Sequence, residues 1–388
     1  MLERRDREPA RLQRRPLRAA AAMQRLRVLR DHIVLPTGAS ALSEVDMSDE
    51  ISAAKEEVAV RGLMAALRTP ERQELRTHFW NECAKHPELL AGLGPDKTTE
   101  EHRQLCFDAL YALQGPDNTS GIKAMDLMLE RPDLYYEMGH ALHCVDLSLA
   151  IKSGVQFTLW GGSIMNLGTE KHHVKYREQV ASIELPGCFA MTELEHGSNV
   201  GSISTQASYE PATEEFVVHT PHDGATKWWI GNAATDGQAA TVFAQLAIGD
   251  DEFGVHAFIV PLRDETGTTL SGVTIKDCGV KVGLNGVDNG AIQFDRVRVP
   301  RDNLLDRFGQ VSADGTYSSQ IESATKRFAV TLGALTGGRV GLSVGSNAVA
   351  QLAVTIAVRF ASMRRQFGQL PEKPAAVRTN LPSAVFLY

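Results

Sequence analysis

The stretch CFAMTELEHGSNV, residues 188–200, marks the point at which the chain changes periodicity. Before it, apolar residues recur at three and four. After it come short runs rich in β-branched and aromatic residues, separated by Pro, Gly and Asp clusters. Within it, Phe189, Ala190 and Met191 lead to Thr192 and then a loop containing Gly197. A threonine hydroxyl at a strand end both donates and accepts, which suits the edge of a flat ligand carrying mixed donors and acceptors. A second segment, KWWIGNAA at residues 227–234, completes the pattern. Two tryptophans precede Gly231, where backbone can approach a planar ligand while Trp229 stacks on it. The residues between the two segments read as antiparallel strands, so both segments are expected at one mouth of a β domain. The plainer alternative is a strand end and a buried aromatic pair, because aromatic residues are mostly core.

Outward from this point, strands are expected at 201–209, 215–220, 239–248, 255–262, 291–294 and 297–299, with a turn at Glu210-Pro211-Ala212-Thr213. Such spacing predicts a small sandwich or barrel. On the N-terminal side, residues 46–185 are helical in pattern. Ser48-Asp49-Glu50 opens one helix with its acids early, as the dipole favours, and further helices are expected after Thr69-Pro70 and at 98–112, 121–129 and 139–151. On the C-terminal side, residues 328–369 lack proline, and Val349, Leu352, Ile356, Phe360, Met363 and Phe367 keep helical spacing. Ser346, Asn347, Gln351 and Arg359 interrupt that helix, so it is not expected to span a membrane. The fold class is therefore α+β. We divide the chain into an Arg-rich leader (1–45), an N-terminal helical domain (46–187), a central antiparallel β domain (188–305), and a linker with the start of a C-terminal helical bundle and a divergent tail (306–388).

Several function classes are excluded. The 388 residues carry a net charge of −7, but residues 1–30 hold ten Arg against three acids, which leaves −14 on the remainder. An acidic body does not suit general binding to a nucleic-acid backbone. The Gly-rich run GLNGVDNG at 283–290 has neither the GxGxxG nor the GK[ST] pattern, so neither a nicotinamide cofactor nor a nucleoside triphosphate is expected there. Five scattered cysteines without a CxxC pair indicate neither a disulfide framework nor a zinc site. His140 with His143, and His172 with His173, lack metal-site spacing, so no metal is expected; the second pair reads as a charged surface feature at a helix start. The leader has no apolar block for secretion. Its residues 25–33, RLRVLRDHI, place Arg25, Leu26, His32 and Ile33 on one face of a helix.

Taken together, MTELEHGSN, KWWIGNAA, GVHAFIVPLRD (254–264), GLNGVDNGAIQFDRVRVPRDNLL (283–305) and LWGGSIMNLGTEKHH (159–173) resemble the peroxisomal acyl-CoA oxidases of the medium-chain plant and algal type, within the acyl-CoA dehydrogenase and oxidase superfamily. The likeness runs in order from about residue 127 to residue 368. Residues 25–33 likewise resemble the type-2 peroxisomal targeting nonapeptide, which implies a peroxisomal location and an import receptor as partner. The resemblance implies a flavoprotein with FAD as cofactor and fatty acyl-CoA and dioxygen as substrates. It would yield trans-2-enoyl-CoA and hydrogen peroxide in fatty acid β-oxidation, normally as a homodimer. By matched position, Thr192, Gly231 and Trp229 would hold FAD, Arg364 would reach its pyrophosphate, and Ser198 would face the acyl-CoA.

Three departures stand out: Glu195 and Asn232 replace family glycines, and Gln156 replaces a histidine. After Gly368 the resemblance ends, and none of the acids in residues 320–388 matches the family's catalytic Glu, so no catalytic residue is assigned and the chain reads as C-terminally truncated. Two alternatives stay open: an acyl-CoA dehydrogenase, and a non-catalytic fragment that binds flavin or acyl-CoA.

Overall fold

The computed structural model describes residues 62, 67–85, 97–118, 121–333 and 336–363. The leader, the 25–33 segment, the helix expected from Ser48, Arg364 and the tail after Gly368 lie outside them. The described parts fall into two compact units, one within residues 92–343 and one made from residues 1–91 with 344–388.

In the smaller unit, α1 (Pro70–Ala84) begins where a proline can, with its missing N–H among the unpaired first-turn donors, and Thr69 caps it by accepting from the Arg72 N–H. In the larger unit, α2 (Thr99–Gln114) opens with a capping box between Thr98 and Glu101. It is followed by α3 (Ala124–Glu130), α4 (Pro132–Val145) and α5 (Leu147–Ser153), the last capped by Asp146. The chain then runs without a break through a π-helix (Gly154–Gly161) into α6 (Gly162–Leu167), and α7 (Glu170–Ala181) closes the helical part. A π-helix widens the turn by one residue per hydrogen bond and tends to mark functional sites.

Nine strands follow: β1 (Gly187–Ala190), β2 (Gln206–Glu210), β3 (Glu215–His219), β4 (Lys227–Ile230), β5 (Ala239–Ile248), β6 (Asp251–Pro261), β7 (Val273–Asp277), β8 (Gly290–Phe294) and β9 (Val297–Pro300). They form a six-stranded and a three-stranded sheet, the latter ordered β4-β8-β7. The expected all-antiparallel arrangement is corrected at two pairings, for β1 and β2 both run parallel to β5. β6 covers the whole of one edge of β5, so β1 at Ala239 to Val242 and β2 at Gln245 to Ile248 share the other edge end to end. A strand of ten residues has room for two short neighbours. The apolar faces of both sheets meet in one core containing Phe216, Val242, Phe258, Ile292 and Phe294. A short pair, β10 (Gln310–Val311) with β11 (Tyr317–Ser318), extends the β region beyond residue 305.

The C-terminal helical run is described as α8 (Ala324–Gly333) and α9 (Gly337–Met363). By length and composition alone, the stretch Ala324–Phe360 is apolar enough to cross a membrane, so its polar residues do not by themselves exclude a span. Bundle helices meet the same criterion, and one such helix is weak grounds for a span; none is assigned.

Candidate functional site

The two segments singled out in the sequence are joined directly. The Trp228 N–H donates to the Thr192 carbonyl oxygen at 3.0 Å, and Thr192 Oγ1 donates to the Trp228 carbonyl oxygen at 2.8 Å. Beside this junction is a cavity of about 810 Å³, with walls supplied by Ile151, Val155 and Leu159, by Phe189, Met191 and Thr192, by Trp229 to Gly231, and by residues 280–284 with Val287 and Asn289. The lining is mostly aliphatic and aromatic, and among the described residues Lys281 is its only charged member. Ile151, Val155 and Leu159 recur every fourth residue along α5 and the π-helix, so they face one way.

Trp229 holds φ +66°, in the left-handed region that a bulky side chain avoids, and β4 shifts register against β8 between Lys227 and Ile230. The bulge breaks strand alternation, so Lys227 and Ile230 are buried while Trp228 and Trp229 are both exposed. Asn289 Nδ2 holds the strained turn by donating to the Trp229 carbonyl oxygen at 3.0 Å. At Gly231 an added Cβ would stand 3.0 Å from Val155 Cγ2, which leaves only glycine an easy fit on that wall.

Below the junction, Glu193 and Lys227 form a wholly buried ion pair at 3.1 Å. Lys227 Nζ also donates to the Met191 and Phe243 carbonyl oxygens, at 3.1 and 2.7 Å. The Glu193 carboxylate accepts from Lys227, from the Ser204 and Thr205 N–H groups and from Thr205 Oγ1. Burial brings the Lys227 ammonium down to about 8, outweighing the attraction of Glu193. At Glu193 burial pushes up, but Lys227 and the surrounding donors outweigh it, so the carboxyl lies below its ordinary value.

A second buried cluster fixes the turn after Gly231. Lys152 Nζ lies 2.5 Å from Asp288 Oδ1 and 2.5 Å from Asp236 Oδ2. Asp288 Oδ2 accepts from the Thr235 and Asp236 N–H groups at 2.9 and 3.1 Å. Arg263 donates from the other side to the Gly237, Ala233 and Ala234 carbonyl oxygens. The turn's amides thus face an anion and its carbonyls a cation.

Of the residues expected at the site, Thr192, Trp229 and Gly231 come together on one pocket. Ser198 is exposed and is not among the pocket's lining residues. Glu195 has no positive φ, so replacing the family glycine leaves the loop unstrained, whereas Asn232 sits at φ +64°, a geometry asparagine tolerates. Gln156 is a structural tie: its amide donates to the Val180 carbonyl oxygen and accepts from the Gly187 N–H, both at 3.0 Å. His172 corrects the expected surface pair. It is buried, accepts from the Thr169 N–H at Nδ1 and donates to the Asp302 carbonyl oxygen at Nε2, and burial lowers its pKa. Sequence reasoning missed the Ile151 stripe and Lys281. A four-residue aliphatic spacing cannot be told from core, and the Gly-rich run after Lys281 carries no recognised cofactor pattern.

The β domain carries a family match of its own: residues 188–297 match the acyl-CoA dehydrogenase middle domain. Within that class the chain is similar to the peroxisomal acyl-CoA oxidases. It is 50% identical over 309 residues to the peroxisomal acyl-coenzyme A oxidase 2 of Arabidopsis thaliana, covering 78% of this chain and 43% of that protein. Against the human peroxisomal acyl-coenzyme A oxidase 3 the figures are 40% over 286 residues, 73% and 40%. Among solved structures, acyl-CoA oxidase-1 of Caenorhabditis elegans complexed with FAD and ATP superposes with a TM-score of 0.67 at 30% identity, covering 82% of this chain and 46% of that one. Acyl-CoA oxidase-2 of the same organism, bound with FAD, ascaroside-CoA and ATP, gives 0.68 at 28%, with the same coverage. The chain thus spans less than half the length of these relatives.

Proposed function

We propose that this chain is the flavin- and acyl-CoA-binding part of an FAD-dependent acyl-CoA oxidase of peroxisomal fatty acid β-oxidation, which converts acyl-CoA and dioxygen to trans-2-enoyl-CoA and hydrogen peroxide. The observation that carries the reading is the meeting of Thr192, Trp229 and Gly231 on one apolar pocket. The pocket suits an isoalloxazine ring: its walls are apolar, Gly231 leaves the ring's edge clear, and Thr192 Oγ1, having given its proton to Trp228, presents an acceptor. Bound there, FAD supplies the acceptor for the two hydrogens removed across Cα and Cβ. Trp229 covers the ring, Ile151, Val155 and Leu159 keep water from it, and the Glu193–Lys227 pair holds Met191 and Thr192 in place. Arg364 is proposed for the cofactor pyrophosphate and Ser198 for the acyl-CoA.

Among the described residues no carboxylate lines the pocket. A positioned base contributes roughly 10²–10⁴ in rate, so this observation favours, as a second reading, a unit that binds without turning over. Homodimerisation, import through residues 25–33 and the domain division at 45, 187 and 305 complete the proposal. The test is to load the chain with FAD and add a medium-chain acyl-CoA without oxygen. Bleaching followed by peroxide on admitting air supports the oxidase. Bleaching that only a carrier dye reverses supports a dehydrogenase, and bound flavin that never bleaches supports the binding unit.

A further inference from the structure

Away from the pocket, His102 and Cys106 stand four residues apart on α2 and so share one face. Asp146, the N-cap of α5, meets them there. His102 Nε2 is 3.5 Å from Asp146 Oδ2, Cys106 Sγ is 3.6 Å from Asp146 Oδ1, and donor atoms from all three residues lie within 4.8 Å of one another. Ligands about 2.0–2.3 Å from a tetrahedral zinc ion stand roughly 3.3–3.7 Å apart; the His102 Nε2–Asp146 Oδ2 separation matches, and a small turn of the carboxylate would bring one oxygen to Cys106 Sγ as well, which now lies 3.6 Å from Oδ1. Asp146 Oδ1 is engaged by the Leu149 N–H at 2.8 Å, while Oδ2 faces His102. His102 Nε2 is buried and has no hydrogen-bond partner among the described residues.

Residue 286 bears on the same spot. A Cβ added to Gly286 would stand 2.5 Å from Cys106 Sγ and 3.1 Å from His102 Nε2, so only glycine lets the backbone pass this close to both ligands. Gly286 is anchored there by its N–H, which donates to Ser148 Oγ at 3.2 Å.

We propose that His102, Cys106 and Asp146 form a three-ligand site for a divalent cation of the zinc class, with its fourth position open beside Gly286. The set of one nitrogen, one sulfur and one oxygen suits a borderline-soft ion and disfavours magnesium or calcium, which take oxygen ligands. On binding, the Cys106 S–H bond breaks, the sulfur takes the metal and the proton passes to solvent. The ion would join α2 to the start of α5. The proposal does not depend on the flavin reading.

The test uses the full chain, freed of metal with a chelator and titrated with Co²⁺ alone. We expect one equivalent bound, with a thiolate-to-cobalt charge-transfer band that is abolished in Cys106→Ser and kept in Cys144→Ser. His102→Gln, at a partly exposed position, should weaken binding by at least about tenfold while circular dichroism stays unchanged. No charge-transfer band in the unmodified chain, or a band that survives in Cys106→Ser, would overturn the proposal.

Discussion

Trp229 carries the clearest sign that local stability has been given up for a site. A left-handed conformation costs a non-glycine residue about 1–2 kcal/mol, and here the cost falls on an indole that is 53% exposed rather than packed in the core. Trp229→Asn places a residue that tolerates this geometry at the same bulge. Its melting temperature should rise by roughly 2–4 °C per kcal/mol recovered, while FAD affinity should fall by up to about tenfold as the stacking face is lost. Thermal melts and flavin titration read the two effects separately, and a variant that is both more stable and equally tight would show that the strain does not serve the ligand. The tryptophan pair was legible in the sequence as a stacking candidate. Its mechanism was not, because a bulge that turns two successive side chains outward leaves no mark in a four-residue strand.

At the scale of elements, the junction of β6, β11 and α8 rests on His256. Its Nδ1 is 3.0 Å from the Gly254 carbonyl oxygen and its Nε2 3.0 Å from Tyr317 Oη, and Arg327 lies over the Tyr317 ring. Burial chiefly, aided by Arg327, lowers His256 to about 4 against the opposing Gly254 hydrogen bond. The unfolded chain takes up this proton near its ordinary 6.5, before the folded chain does. Stability is therefore lost as pH falls from about 6.5 through about 4, by about 3 kcal/mol if His256 acts alone. Urea midpoints measured across that window should decline in the parent and flatten in His256→Gln; equal slopes would contradict the assignment. The helices α1 to α3 and the long β5–β6 pair were readable because caps, prolines and apolar runs coincide there, whereas α4 and α5 were expected as one helix over 139–151 and are separated at Asp146, the N-cap of α5. β4 and β7 were missed, and β1 was read only as a strand end before Thr192: β4 has four residues and is bulged, while β7 buries only Val273 fully. The parallel pairing of β1 and β2 with β5 depends on which edge β6 leaves free, a tertiary fact that no local pattern encodes.

For the whole molecule, the α+β class and the likeness to acyl-CoA oxidases were legible in five motifs read in order, and the structure shows what those segments build. They supply the two joined strands, the wall loop and the buried charges that hold them. Ser198 did not join the site, and Arg364 lies outside the described residues. The central claim is that the pocket at Thr192, Trp229 and Gly231 holds FAD. The measurement that tests it most directly is the visible absorption spectrum of the purified chain titrated with FAD, beside Gly231→Leu, whose side chain would fill the space next to Val155. The account predicts a protein-bound flavin spectrum near one equivalent that Gly231→Leu abolishes without unfolding the chain. A folded parent chain that takes up no FAD, or a Gly231→Leu variant that binds it equally well, would contradict it.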